Sequence, residues 1–283
     1  MEELERSLAE VVKKSLAEDA ARSDVTTKLL IGRGVSGDAV IKAKSSGVIS
    51  GHVAAELVFK TLDKTIAYVP TSTDASRVER GQAVARMRGR ISAILAGERT
   101  ALNFLQHLSG VATLTAAFVE KAKGTGITIL DTRKTTPGLR PLEKKAVSHG
   151  GGQNHRWNLA QMILVKENHL KAAGGLEKVI AKLGPENLAK AEIEITSLGE
   201  LRILREAPPM RIMLDNFSPE MVREAVVQVR TWGAEPPQIE VSGGVDLGNF
   251  EQFAIPGVDF ISIGALTAQA PVLDMSLLVE GTH

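Results

Sequence analysis

The sequence predicts an α/β protein in two parts, an N-terminal α+β domain followed by a C-terminal α/β barrel. Three observations carry this reading. Short β-type runs broken by Gly and polar turns fill residues 35–95. After residue 125, apolar strands alternate with amphipathic helices, the pattern of parallel strands joined by right-handed crossovers. Polar residues able to do chemistry fall at the C-terminal ends of five or more of those strands, the face that carries active sites in α/β barrels. A doubly wound open sheet is the competing architecture, but it draws on fewer strands, at one switch point.

Taken in order, residues 2–18 place Leu4, Leu8, Val11, Val12 and Leu16 at helical spacing. Asp24, Val25, Thr26 and Thr27 form a turn or cap. Strands are expected at 39–44, 48–50 and 65–69, with a helix at 53–62, and Gly81-Gln82 precedes another strand. Residues 97–123 read as one long helix, or two broken near Gly110. Six apolar strands follow, at 127–131, 162–166, 193–196, 211–215, 239–242 and 260–264. There is room for a seventh near 146–149. Ser218-Pro219-Glu220 supplies a cap, a first-turn Pro and an early acid, the start of a helix.

Composition narrows the function. The 283 residues, 43% of them hydrophobic, suffice for one large core or two medium ones. A net charge of +1 and 4% aromatics argue against a nucleic-acid partner. The chain has no Cys, which excludes disulfides, thiolate metal sites and Cys nucleophiles. The start, MEELERSLAE, is not a secretory signal, and no apolar run approaches the roughly 20 residues that span a bilayer. A soluble cytoplasmic protein is expected, with no membrane partner.

Within this near-neutral chain, residues 133–171 hold eight Lys/Arg and three His against Glu143 and Glu167 alone. Such a segment suits a small polyanion. Thr132, Arg133 and Lys134 follow a strand, where Arg can grip a carboxylate and Lys a phosphate oxygen; a solvated loop is the plain alternative. Gly150, Gly151 and Gly152 permit close backbone approach and precede His155 and Arg156. Lys166 ends an apolar run. Glu194 and Asp215 end or interrupt two others, and could hold Mg²⁺ or ribose hydroxyls, or pair with Lys166 and Lys134. Ser242, Gly243, Gly244 and Ile263, Gly264, Ala265 end the last two strands, where backbone N–H groups and a helix from Asp246 could receive a phosphate. P-loop, HExxH and EF-hand patterns and a convincing Ser/His/Asp set are all absent. Catalysis would come from holding two anions together and stabilising developing charge.

The blocks LAEDAARSDVTT, GERTALNFLQHLSGVAT, DTRKTTPGLRPLEKKAV, GGGQNHRWNL, MILVKENHL, IEIT, IMLDN, EVSGG and SIGALT occur in that order. In this the chain resembles the quinolinate phosphoribosyltransferase family over nearly its whole length. The resemblance implies an N-terminal α/β open sandwich domain (1–108) and an incomplete seven-stranded α/β barrel (109–267), with 268–283 packing back on the first domain. It implies phosphoribosyl transfer from 5-phosphoribosyl 1-diphosphate to quinolinate, with loss of CO₂ and diphosphate, and Mg²⁺ as cofactor. It implies a homodimer with shared sites, or a larger assembly. Arg133, His155, Arg156 and Lys166 would bind the quinolinate carboxylates, joined by Arg99 from the other subunit, with Thr132 and Lys134 lining the site. Glu194 and Asp215 would hold ribose hydroxyls and metal. Lys134, Lys166, Glu194 and Asp215 are thus the expected catalytic residues. The two glycine-bearing turns, Ser242, Gly243, Gly244 and Ile263, Gly264, Ala265, would cradle the 5-phosphate. Ala268-Gln269 departs from the family's common His-Ser. Rival readings are a ModD-like phosphoribosyltransferase, a non-catalytic anion-binding protein on the same scaffold, and a Schiff-base aldolase using Lys166.

Overall fold

The structure is a computed structural model and describes residues 2–32 and 34–283. The first half of the chain forms α1 (Glu2–Glu18), α2 (Val25–Leu30), β1 (Ser36–Ala43), β2 (Gly47–Val48), α3 (His52–Leu62), β3 (Ala67–Pro70), β4 (Arg77–Val78), β5 (Ala83–Arg90) and α4 (Ile91–Ala122). Then come β6 (Thr128–Leu130), α5 (Arg140–His149), β7 (Ile163–Val165), α6 (Glu167–Ala173), α7 (Leu176–Leu188), β8 (Ala191–Ile195), α8 (Leu198–Leu204) and β9 (Arg211–Asp215). The chain closes with α9 (Pro219–Val229), β10 (Gln238–Ser242), α10 (Phe250–Phe253), β11 (Phe260–Ser262), α11 (Ala265–Ala268) and β12 (Met275–Thr282).

Two compact units emerge. The first comprises Met1–Ala116, Thr135–Gly151 and Leu266–His283, the second Ala117–Lys134 and Gly152–Ala265. A single boundary between 108 and 109 would cut α4, which runs through that point without a break.

In the first unit the sheet order is β12-β1-β5-β3, and all neighbours are antiparallel. The C-terminal strand β12 pairs with β1 from Ala43↔Met275 to Gly37↔Thr282. Leu8, Val12 and Leu16 of α1 are buried as their spacing requires; the side chain of Leu4 lies outside the described residues. The Asp24 carboxylate accepts from the Thr27 N–H at 3.0 Å and so caps α2. Gly110 does not interrupt α4. A Cβ there would sit 2.0 Å from the Pro271 carbonyl oxygen, so this glycine admits the chain leading to β12. Among the described residues α4 is the one helix long and apolar enough to cross a bilayer. Asn103, Gln106, His107 and Ser109 break its apolar character as a sequence run. It is instead a core helix, with Ala101, Leu102, Leu105 and Leu108 at or near zero exposure.

In the second unit six parallel strands lie in the order β6-β11-β10-β9-β8-β7, and all six expected strands are present. The seventh, expected near 146–149, is not a strand. Those residues end α5, which has a Pro in its first turn and buries Leu142, Ala146 and Val147 at helical spacing. A single parallel bridge, Leu130↔Gln153, lies where a seventh strand would pair with β6. On β8, β9 and β10 one set of alternate residues is apolar and buried: Ile193, Ile195, Ile212, Leu214, Ile239 and Val241. The other set carries Glu192, Glu194, Arg211, Met213, Asp215, Glu240 and Ser242, since side chains two apart share a face. That face carries the charged residues of these strands.

Candidate active site

The site is built at the C-terminal ends of the parallel strands. Lys166 follows β7 and caps α6; its Nζ lies 2.5 Å from Glu194 Oε2. Glu194 Oε1 accepts from the Glu167 N–H at 3.3 Å. Both carboxylate oxygens of this buried residue therefore have a donor. Asp215, one strand along, takes the Asn216 side-chain amide on Oδ2 at 2.7 Å. Burial, then the neighbouring Glu194 charge, push the Asp215 pKa up, while Asn216, Lys166 and Lys134 pull against them. These five residues therefore form one electrostatic group.

Lys134 reaches this group from the loop after β6. A Cβ on Gly264 would be 2.8 Å from Lys134 Cδ and 3.5 Å from its Nζ. Thr132 shapes that loop by accepting the Lys134 N–H on its hydroxyl at 3.0 Å. Arg156 is buried and donates from Nη1 to the Met162 carbonyl at 3.1 Å. Its pKa is pushed down by burial and then by the charge of Arg133, with Glu192 opposing. A buried guanidinium thus lies within the field of a second, half-buried one, an arrangement that suits an incoming anion.

His155 turns inward. Its N–H donates to Asp131 Oδ1 at 2.9 Å, and its Nδ1 accepts the Arg156 N–H at 2.8 Å. Its Nε2 lies 3.1 Å from Glu192 and 3.5 Å from Glu240. Burial disfavours a charged ring, but the hydrogen bonds and charges of the two carboxylates outweigh it and raise the pKa to about 9. The Arg156 N–H aimed at Nδ1 favours instead the neutral ring with its proton on Nε2. Nε2–H faces the carboxylates in either state. This inward contact differs from the direct carboxylate contact that the resemblance implied for His155.

The two glycine-bearing turns are placed differently from expectation in two details. The Ile263 N–H is already given to the Leu130 carbonyl at 2.9 Å. The chain after Gly244 is not a helix from Asp246. It is a turn in which Asp246 Oδ1 accepts from Gly248 and Asn249 N–H groups, and the four-residue α10 begins at Phe250. A helix that short adds little dipole. Gly243 is held at φ +89, and a Cβ there would lie 2.3 Å from Asn216 Oδ1. Gly150 lies in the first unit, where a Cβ would meet the Ala112 carbonyl oxygen at 2.4 Å; its close approach is to α4. Arg99 is exposed on α4, also in the first unit.

Asn216, Glu192, Glu240 and Arg211 were passed over in the sequence. The signal for the glutamates was there: AEIEI puts Glu192 two residues before Glu194, on the same face, and Glu240 interrupts an apolar strand.

Two families match the chain. The quinolinate phosphoribosyl transferase N-terminal domain covers residues 24–109 and the C-terminal domain residues 111–278. The chain is 42% identical over 245 residues to the probable nicotinate-nucleotide pyrophosphorylase (carboxylating) of Archaeoglobus fulgidus, covering 86% of this chain and 94% of that one. It is 39% identical over 278 residues to the nicotinate-nucleotide pyrophosphorylase (carboxylating) of Homo sapiens, covering 96% and 91%. The solved nicotinate-nucleotide pyrophosphorylase from Francisella tularensis superposes with a TM-score of 0.89 at 38% identity, covering 97% of this chain and 96% of that one.

Proposed function

Because the chain belongs to the quinolinate phosphoribosyltransferase family and has the nicotinate-nucleotide pyrophosphorylase activity of NAD biosynthesis, we propose that the residues gathered at the C-terminal ends of its parallel strands divide that reaction between them. Quinolinate is a dianion, and 5-phosphoribosyl 1-diphosphate is more strongly charged. Arg133, Arg156 and Lys166 receive the two carboxylates, with Thr132 beside them. Lys134 contacts the sugar diphosphate. Ser242, Gly243, Gly244, Gly264 and Ala265 face the 5-phosphate. The observation that carries this reading is the Lys166–Glu194 ion pair, whose two charges both act on Asp215 one strand along.

The chemistry follows from charge. As the anomeric bond to diphosphate breaks, positive charge develops on the ribose, and Glu194 and Asp215 are of the sign to stabilise it. The quinolinate nitrogen then forms the new bond and becomes a pyridinium. Its positive charge stabilises the carbanion left on the ring carbon when the adjacent carboxylate departs as CO₂, and that carbon then takes a proton from water to give nicotinate mononucleotide. Lys166 is placed to shift between Glu194 and that carboxylate. Mg²⁺ suits this donor set, being a hard cation held by one or two carboxylates plus substrate phosphates. Glu194 and Asp215 would hold it, and it would offset diphosphate charge. We also place the enzyme in the cytoplasm as a homodimer or larger assembly, with Arg99 completing the site of its neighbour.

A Schiff-base aldolase is disfavoured because the Lys166 ammonium is already engaged by the Glu194 carboxylate, whereas such a lysine must present a free amine to its substrate. A ModD-like enzyme would accept a different anion. Incubation with quinolinate, the sugar diphosphate and Mg²⁺, following CO₂ and nicotinate mononucleotide, tests the proposal. Both products appear in equal amounts. Arg133→Ala raises the quinolinate KM at least about tenfold, the scale of a lost charged hydrogen bond. An unchanged KM removes Arg133 from the site.

A further inference from the structure

We propose that the buried cluster of His155, Glu192, Glu240 and Arg211 is a positioning device for Arg156, fixing the loop that carries it from beneath. This rests on the reading of Arg156 as a quinolinate ligand.

The cluster lies one layer below the site. Glu192 stands two residues before Glu194 on β8, Arg211 opens β9, and Glu240 stands two residues before Ser242 on β10. Each therefore shares a face with a site residue above it. Glu192 and Glu240 have zero exposure. Arg211 Nη1 lies 2.9 Å from Glu240 and 4.0 Å from Glu192, and its guanidinium carbon is 4.0 Å from the centre of the Phe260 ring. His155, Glu192 and Glu240 bring ligand atoms within 4.8 Å of one another, as a metal site does. Here Arg211 already supplies a cation to both carboxylates, so the cluster is an internal ion network.

Such a network is costly to bury and rarely the most stable filling for a core, so its location calls for an explanation. His155 supplies one. Its ring bridges the cluster to the Arg156 N–H through Nδ1, and its own N–H is tied to Asp131. The Arg156 backbone is thus anchored to two strands and a buried charge pair. The same Glu192 opposes the repulsion that Arg133 exerts on Arg156.

Glu192→Gln tests this, because two effects carry opposite signs. Removing a buried negative charge makes the surroundings of Arg156 more positive, which alone would tighten quinolinate binding. Loss of positioning weakens it. The expected result is a rise of at least about fivefold in the quinolinate KM, with kcat and the KM for the sugar diphosphate within about twofold of the parent. A quinolinate KM unchanged or lowered overturns the proposal, as does an equal rise in both KM values. Where Glu192→Gln does not fold, Glu240→Gln is expected to show the same split at smaller size, and its absence there overturns the proposal equally. Arg156→Lys separates the two levels. A raised quinolinate KM in that variant together with no split in the cluster variants removes the positioning device alone. A parental KM in Arg156→Lys removes the ligand role as well.

Discussion

A Cβ added to Gly264 would come within 2.8 Å of Lys134 Cδ, so these two residues compete for one space. The obstacle is a flexible side chain, and Lys134 is exposed. Gly264→Ala should therefore change stability by less than about 1 kcal/mol while displacing the ammonium. The expected outcome is a higher KM for the sugar diphosphate and a lower kcat, with an unchanged urea midpoint; parental kinetics would show that Lys134 does not act from this position. Gly243 is a different case, because its neighbour is the Asn216 side chain that orients Asp215. That Lys134, Lys166, Glu194 and Asp215 lie near one another was legible in the sequence because each falls at or near the end of an apolar run. Asn216 was not, since an Asn after an Asp carries no periodic signal. The direction of His155 was not either, because sequence does not show which way a ring turns.

Elements were legible where two cues agreed. Strands β8, β9 and β10 combine β-branched residues with sharp polar ends, and α9 has a capping Ser and a Pro. Where one cue stood alone, the reading failed. Residues 146–149 are apolar in part and follow a strand-like interval, yet the Pro and the 142/146/147 spacing make them helix. At the C-terminal end of α3, Asp63 accepts from the N–H and hydroxyl of Thr65 and from Arg90 of β5. The Thr65 bonds first, then Arg90, lower its pKa from 3.8 to about 2. A depressed acid contributes stability that is fully present above its unfolded value and is lost as pH falls through the folded one. The unfolding free energy of the parent should exceed that of Asp63→Asn by a constant amount above pH 5. That difference should shrink between about pH 4 and 2. A difference that stays constant down to pH 2 would mean that Asp63 is not held ionised by these partners.

For the molecule as a whole, the sequence showed two kinds of grammar and the structure has two units, but the units interleave along the chain. Sequence windows cannot reveal that interleaving, because α5 and β12 join the first unit through long-range contacts. The same distribution bears on catalysis. Arg99 is an exposed cation on α4, within the first unit, where burial raises the pKa of the neighbouring Glu98 carboxyl and the charge of Arg99 pulls it down. Lys134 belongs to the second unit. We proposed that Arg99 completes the site of a neighbouring subunit, and this has a consequence that single variants cannot show. Arg99→Ala and Lys134→Ala are each expected to be nearly inactive as homodimers, since every site lacks one residue. In a mixed dimer one site lacks both residues and the other is intact. Random exchange of equal amounts makes half of the dimers mixed, each with one working site of two, so about a quarter of parental activity should return. Activity that stays at the level of the separate variants, in a sample where mass spectrometry detects the mixed dimer, would place Arg99 in the site of its own chain or outside it.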